Sequence, residues 1–235
     1  DDARIGFLYE TIYQRRPATD EVTMAKAFLA APVEGSAESA PNAGWHYGYG
    51  ELDETTKRVK SFTPLAFFTG GQWQVAKDFP DKEFGHLLLR AEGGHPGHNQ
   101  SRAVIRRWIA PRDGTVSVSG VLSHASTQGD GVRGRVVSSR VGVVGEAVAQ
   151  NGSAELKVAD ITVKAGDTLD FIADCRTSSS HDSFNWAPKL KFTDPLKRSK
   201  QLPAGYETEW DAKADFTKPR AEPAKTLTAW EKLAH

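Results

Sequence analysis

The stretch GWHYGYG, Gly44 to Gly50, sets three aromatic rings at alternating positions. Side chains alternate between the two faces of an extended chain. Trp45, Tyr47 and Tyr49 therefore point to one side, spaced at about 7 Å. Exposed, such a row would stack on the C–H-rich faces of successive sugar rings, with nearby polar groups meeting the hydroxyls. Covered by a second sheet, the same row would be ordinary core. The alternation reaches Leu52 only after a break, so the pattern is short. Trp73 lies in GGQWQ, where flanking glycines suggest a loop and an exposed ring.

Other polar residues could serve the same chemistry. GGHPGH places His95 and His98 three apart, with His46, His86 and His124 elsewhere. The Pro and Gly between them exclude a helical pair, and no third ligand stands at a zinc-like spacing. Hydrogen bonding to a ligand hydroxyl or to a loop carbonyl fits them better. In GDGVRGRVVSSR, Arg133 and Arg135 alternate with valines, and Arg140 follows. They could meet an acidic sugar through charge-assisted bonds, or pair with carboxylates on a neighbouring strand. Asp174 and Asp182, with Asp130 and Asp113, lie near strand ends. Loop carboxylates suit a structural calcium ion, and they equally suit turns and caps.

The chain excludes several classes of function. Its 30 Lys and Arg balance 30 Asp and Glu, which leaves no basic excess for phosphate. No apolar run approaches the ~20 residues that span a bilayer. DDARIGFLYE lacks the apolar region of a signal peptide, so an exported parent would carry its signal elsewhere. The single cysteine, Cys175, cannot form an internal disulfide. It shares a strand face with Leu169, Phe171 and Ala173 and reads as a small buried hydrophobe. There is no GxSxG elbow and no P-loop. Carboxylates are plentiful, so a glycosidase pair would depend on their separation in space.

The elements that must hold these residues change along the chain. Residues 1–31 read as a helical hairpin, with Ile5, Leu8, Tyr9 and Ile12 on one face and Val22, Ala25, Phe28 and Leu29 on the next. Pro17 ends the first helix. Thr19 is expected to cap the second, with Asp20 and Glu21 at the positive end of its dipole. Residues 32–43 form a Pro- and Gly-containing linker. From 44 to 194 the pattern is short strands: His86–Glu92, Ala103–Ala110, Thr115–His124, Val132–Arg140, Ala154–Val163, Thr168–Cys175 and Phe184–Phe192. That pattern predicts an antiparallel sandwich or barrel, with Trp108 and Trp186 in its core. Residues 195–225 read as an irregular surface segment containing Trp210. LTAWEKLAH begins a helix, residues 226–235, with a capping box at Thr228 and Glu231. Two turns of helix are too few to stand alone, so Trp230 is expected to pack on the N-terminal hairpin. Helices at both ends suggest one helical unit that the β domain interrupts.

These segments resemble a known family. FLYETIYQRRPATDEVTMAKAFL is similar to the LY…R.PT..E…A..FL hairpin near the end of a large domain of unknown function. That domain occurs in exported planctomycete proteins, many with cytochrome-c-like domains. LTAWEKLAH resembles the start of its last helix, without the LLxSNEF ending that normally follows. The block from WHYGYGELDE through GGHPGH, GDGVRGRVVSSR and AGDTLDFIADC to DSFNWAP resembles a β-sandwich inserted in some members. The resemblance implies a mainly β, jelly-roll-like, carbohydrate-binding-module-like sandwich with an N-terminal helical hairpin and a short C-terminal helix. It also implies an extracellular or periplasmic setting and two partners, polysaccharide and the rest of the parent chain.

Together these lines give a non-catalytic module that binds a neutral or anionic polysaccharide, with a structural calcium as the one cofactor candidate. The candidate binding residues are Trp45, Tyr47, Trp73, His95, His98 and Arg140, and the candidate calcium ligands are Asp174 and Asp182. Two rivals stand beside this reading: a structural or protein-docking insertion in a redox-associated assembly, and a polysaccharide-active enzyme.

Overall fold

A computed structural model of the chain describes residues 2–30, 44–193 and 208–216. They belong to two units, a helical pair and a β unit. The linker at 32–43 and the helix expected at 226–235, with Trp230, lie outside the described residues, as do the side chains of Phe28 and Leu29.

In the helical pair, α1 spans Asp2–Tyr13 and α2 spans Thr19–Ala30. Ile5 and Ala25 are buried, while Ile12 at the end of the α1 stripe is exposed. Thr19 is not the cap. The Ala18 carbonyl accepts the Val22 N–H, and the Glu21 carboxylate accepts the Ala18 N–H at 2.7 Å. Glu21 also takes two hydrogen bonds from the Arg15 guanidinium. Arg15 first, and the Ala18 N–H second, pull the Glu21 carboxyl down to about 2. Among the described residues no helix is long and apolar enough to cross a membrane.

The β unit opens with a long strand, β1 (Gly44–Asp53), followed by β2 (Arg58–Pro64), β3 (Phe67–Phe68), β4 (Gln72–Gln74), β5 (Leu88–Arg90) and β6 (Gly93–His95). Then come β7 (Ala103–Ile109), β8 (Gly114–His124), β9 (Val132–Ser138), β10 (Gly142–Ala149), β11 (Gly152–Val163) and β12 (Thr168–Asp174). The last are β13 (Phe184–Asn185), β14 (Lys189–Phe192) and β15 (Glu209–Asp211). A six-stranded sheet runs β10-β9-β12-β7-β1-β2. A nine-stranded sheet runs β15-β14-β8-β13-β6-β5-β4-β3, with β11 on the other edge of β8. The pairings are antiparallel, for example Trp45 opposite Trp108 and Val158 opposite Val118.

The two sheets share one core, as an antiparallel sandwich requires. Trp45, Val104, Trp108, Val136, Leu169 and Phe171 enter it from the first sheet. Leu89, Val116, Val118, Leu122, Phe184 and Leu190 enter it from the second. The alternation seen in the sequence is the cause: Val116, Val118 and Leu122 face inward, and the serines at 117, 119 and 123 do not. Trp108, on β7, and Trp186, between β13 and β14, are both buried, as expected. Gly134, between Arg133 and Arg135, makes room for one of them. A Cβ there would stand 3.1 Å from the Trp186 ring. Cys175 is a buried free thiol, and burial pushes it up to about 11.

Two expectations are corrected here. The described part of the 195–225 segment is not an irregular surface run. It carries β15 and buries Trp210 and Phe216, and Trp210 meets Trp108 edge-on at 5.1 Å. GGQWQ is not a loop either, since Gln72–Gln74 is a strand between β3 and β5.

Candidate functional site

The aromatic row of β1 is core. Trp45 and Tyr47 are 9 % and 8 % exposed, so neither offers a ring face to solvent. Trp45 packs on Phe171 at 5.6 Å, and its Nε1 donates to Asp215 at 3.3 Å. Tyr47 stacks on Trp73 at 5.9 Å and meets Phe216 edge-on at 4.9 Å. The glycines of GWHYGYG serve the opposite face. A Cβ on Gly48 would lie 2.5 Å from the Phe62 ring, and one on Gly50 would collide with the Ser61 carbonyl.

Strand parity settles Trp73 in the same way. On β4 the two glutamines take one face and Trp73 the other. Trp73 lies half-buried against the core, opposite Leu89. Trp73→Ala should therefore act on stability, lowering the unfolding free energy by about 2–4 kcal/mol. Urea denaturation followed by fluorescence would show this, and an unchanged midpoint would mean that Trp73 is a surface ring after all.

The other face of β5, β6, β13 and β8 forms the floor of a groove of about 390 Å³. Pairing sets Ser123, Asn185 and Gly93 side by side, and His95 beside Leu88. Arg90 and Glu92 add charge of both signs. The groove wall is the 75–87 loop, which brings Phe79 and His86 over the floor. That loop is pinned along its length. Gln74 donates to the Ala76 and Lys77 carbonyls. Asp81 and Gly85 exchange main-chain hydrogen bonds, and the Asp81 carboxylate caps Glu83 and Phe84. Arg102 pairs with Glu83 and lies over the Phe84 ring, its guanidinium 4.5 Å from the centroid. Phe79, 38 % exposed, meets His86 edge-on at 5.6 Å. His86 in turn lies 5.7 Å from His95.

His95 is thus the one candidate binding residue that lines this groove. Its Nδ1 is 2.7 Å from the Pro96 carbonyl, so Nδ1 carries the proton and Nε2 is left as an acceptor. Burial, more than anything else, holds its pKa below the ordinary 6.5, with His86 and His98 acting in the same direction. His98 is exposed, with its ring against Gly85, and does not line the groove. Arg140 is also elsewhere, in the turn after β9, paired with Asp167 at 3.3 Å. Arg133 and Arg135 are spent on carboxylates: Arg133 on Asp174 of β12, and Arg135 on Glu146 of β10 and on Glu54 in the turn after β1.

Asp174 is not free for a metal. Its Oδ1 accepts the Arg176 N–H and its Oδ2 accepts Arg133, with Arg135 at 4.0 Å. Asp113 caps Ala165 across a turn. Asp182 is different, since both of its oxygens are buried without a hydrogen-bond partner. Among the described residues no three His, Cys, Asp or Glu side chains converge as a metal cage. A second hollow, about 390 Å³ between β8, β14 and β15, is crossed by the ion pairs Lys189–Asp211 and Lys191–Glu209.

No family model matches the chain, and no curated protein matches it. Solved structures that are distantly similar include two carbohydrate-related proteins. One is the C-terminal CBM6 of LamC, a marine laminarinase from Zobellia galactanivorans. It is 18% identical over 37% of this chain and 72% of that one, with a TM-score of 0.23. The other is the Podospora anserina GH26-CBM35 beta-(1,4)-mannanase. It is 14% identical over 66% of this chain and 29% of that one, with a TM-score of 0.25. Likenesses this remote leave the groove to be read from its own residues.

Proposed function

We propose that the β unit binds a polysaccharide without cleaving it, and that the sugar lies in the groove over β5, β6 and β13. The observation that carries this reading is the pairing of a ring wall with a polar floor. Phe79 and His86 offer apolar ring surface. Arg90, Ser123, Asn185 and the His95 Nε2 offer donors and acceptors for sugar hydroxyls. Ligand sites of this kind are concave, mostly pre-formed, and oriented by a few polar groups.

The charge of the groove favours a neutral sugar. Its one guanidinium, Arg90, stands with one carboxylate, Glu92, and Arg140 is committed elsewhere. The same count speaks against hydrolysis. Glycoside cleavage generally uses two carboxyl groups, one of them protonated as the acid. Glu92 is the only carboxylate among the described lining residues. Its bond with Lys213, 3.1 Å away, holds its pKa below the usual carboxylate range. An extracellular or periplasmic setting, where polysaccharide is met, accompanies this reading.

Affinity electrophoresis of the 235-residue chain in gels holding neutral or anionic polysaccharides tests the proposal. Retardation by at least one neutral glycan is expected. Free migration in every gel would remove the binding reading, and release of reducing ends from the same glycans would restore an enzyme.

A further inference from the structure

The loops after β8 and after β12 meet at an unsatisfied carboxylate. Asp182 is 0 % exposed, and neither of its oxygens accepts a hydrogen bond. The histidine beside it, His124, comes to 3.9 Å through Nε2 but is already committed. Its Nε2 bonds the His181 carbonyl at 2.8 Å and its Nδ1 accepts the Asn151 N–H at 3.3 Å. The imidazole is thereby held as the Nε2–H tautomer, with no proton to spare for Asp182. Removing a carboxylate from water without a partner is costly enough that it normally finds a cation or a proton.

Asp130 supplies a second carboxylate. Its Oδ2 accepts the Thr177 main-chain N–H and hydroxyl, while its Oδ1 is buried with no hydrogen bond. Gly129 packs directly against this carboxylate pair. A Cβ there would stand 2.4 Å from the Ser180 carbonyl oxygen and 3.5 Å from Asp182 Oδ1. The Ser180 carbonyl oxygen and Asp182 Oδ1 are therefore neighbours, on one side of a backbone that only glycine lets so close. Burial, with the charges of Asp130 and Asp174 adding to it, pushes the Asp182 carboxyl up to about 7, and Arg176 opposes them. Arg176 itself is held on the Asp130 carbonyl and makes no hydrogen bond to Asp182.

We propose that Asp182 and Asp130, with the Ser180 carbonyl, hold a calcium ion between the loop after β8 and the loop after β12. Oxygen donors without nitrogen or sulfur select a hard cation. Irregular loop carbonyls suit the flexible coordination of calcium better than the strict octahedron of magnesium. The ion ties together the chain ends that carry Ser123, Ala125 and Ser183 on the groove. The site stands whether or not that groove holds glycan.

The test is calorimetric titration of calcium chloride into the EDTA-treated 235-residue chain, with thermal unfolding measured alongside. One calcium per chain is expected. At a hundred-fold excess over the dissociation constant, Tm should rise on the order of 5–10 °C. Asp182→Asn and Asp130→Asn should each weaken calcium about ten-fold or more, because affinity follows ligand charge. If Asp182→Asn does not fold, the wild-type titration and Asp130→Asn decide the matter. Absence of heat and of a Tm shift in the wild type overturns the proposal. So does an undiminished calcium response in both variants, or an equal Tm shift with magnesium.

Discussion

Replacing Arg106 with alanine should lower the unfolding free energy of the β unit by about 3–5 kcal/mol. Arg106 stands on β7 and points inward, and it is 2 % exposed. Its Nη2 donates to the main-chain carbonyls of Arg90, Ala91 and Gly93, which form the tight link from β5 to β6. Its guanidinium also lies 6.0 Å from the Tyr47 ring centroid and 5.6 Å from that of Phe216. Burial lowers its pKa to about 10, so it remains charged at neutral pH. Alanine would leave those carbonyls without their donor and open a cavity beside two rings. Each buried polar group that loses its partner costs about 1–3 kcal/mol. Two further substitutions separate the causes. Arg106→Met keeps most of the volume and no donor, so it should be nearly as damaging as alanine. Arg106→Lys keeps the charge but lacks the fork that reaches several carbonyls, so it should fall between. Urea midpoints measure all three, and a methionine variant as stable as wild type would show that the hydrogen bonds contribute nothing. Because the same link carries Arg90 and Glu92 into the groove, Arg106→Lys should also weaken any glycan bound there.

Residues around this arginine also show what could be read from the sequence. The alternation of Trp45, Tyr47 and Tyr49 correctly puts them on one side of a strand. It does not say which side is covered, because a stacking platform and a core face have the same period of two. The answer comes from Trp73 and Phe216, distant along the chain, which close over Tyr47. For Trp73 a local signal was available. Gln-Trp-Gln is itself polar–apolar–polar, the pattern of a half-buried strand, and the glycines before it mark only where that strand begins. Arg133 and Arg135 were legible as cross-strand partners, since arginine alternating with valine needs opposite charge on the next strand. The groove was hidden for another reason. Asn185 and Ser123 look like ordinary outward-facing strand residues, and Phe79 like part of a polar loop. Only the fold of 75–87 back over β5 brings them together. Asp182 and Asp174 look alike in the sequence, as acids near strand ends, and only the fold separates them: Asp174 meets Arg133, whereas the histidine beside Asp182 bonds elsewhere.

Phe79→Ala should reduce glycan affinity by about ten- to a hundred-fold, which corresponds to about 1.4–2.8 kcal/mol. The ring is exposed at the lip of the groove and its removal leaves the floor unchanged, so folding should be nearly unaffected. Asn185→Ala should cost less, about 1–2 kcal/mol for one hydrogen bond. His95 adds a dependence on pH. At neutral pH its Nδ1–H is held by the Pro96 carbonyl, which leaves Nε2 as the acceptor that a sugar hydroxyl would use. Burial lowers its pKa below 6.5, so the ring stays neutral through that value and takes a proton on Nε2 only in more acid solution. The acceptor is then lost. Affinity should be level from pH 8 to 6.5 and fall below that, by at most about ten-fold per pH unit for one proton. The same shift weakens the fold in the same direction. The unfolded chain takes up this proton first, so stability contributed above pH 6.5 is lost as pH drops through the lowered pKa. Binding must therefore be measured where circular dichroism shows the chain still folded. His86, Arg90 and Glu92 also face the groove, so a substitution is needed to assign the effect. His95→Gln keeps an amide oxygen as acceptor and has no proton to gain. It should bind at pH 7 within a few-fold of wild type and lose the acid limb of the profile. If the acid limb survives in His95→Gln, the acceptor role belongs to another group. If Phe79→Ala binds as wild type does, the groove is not where the sugar lies.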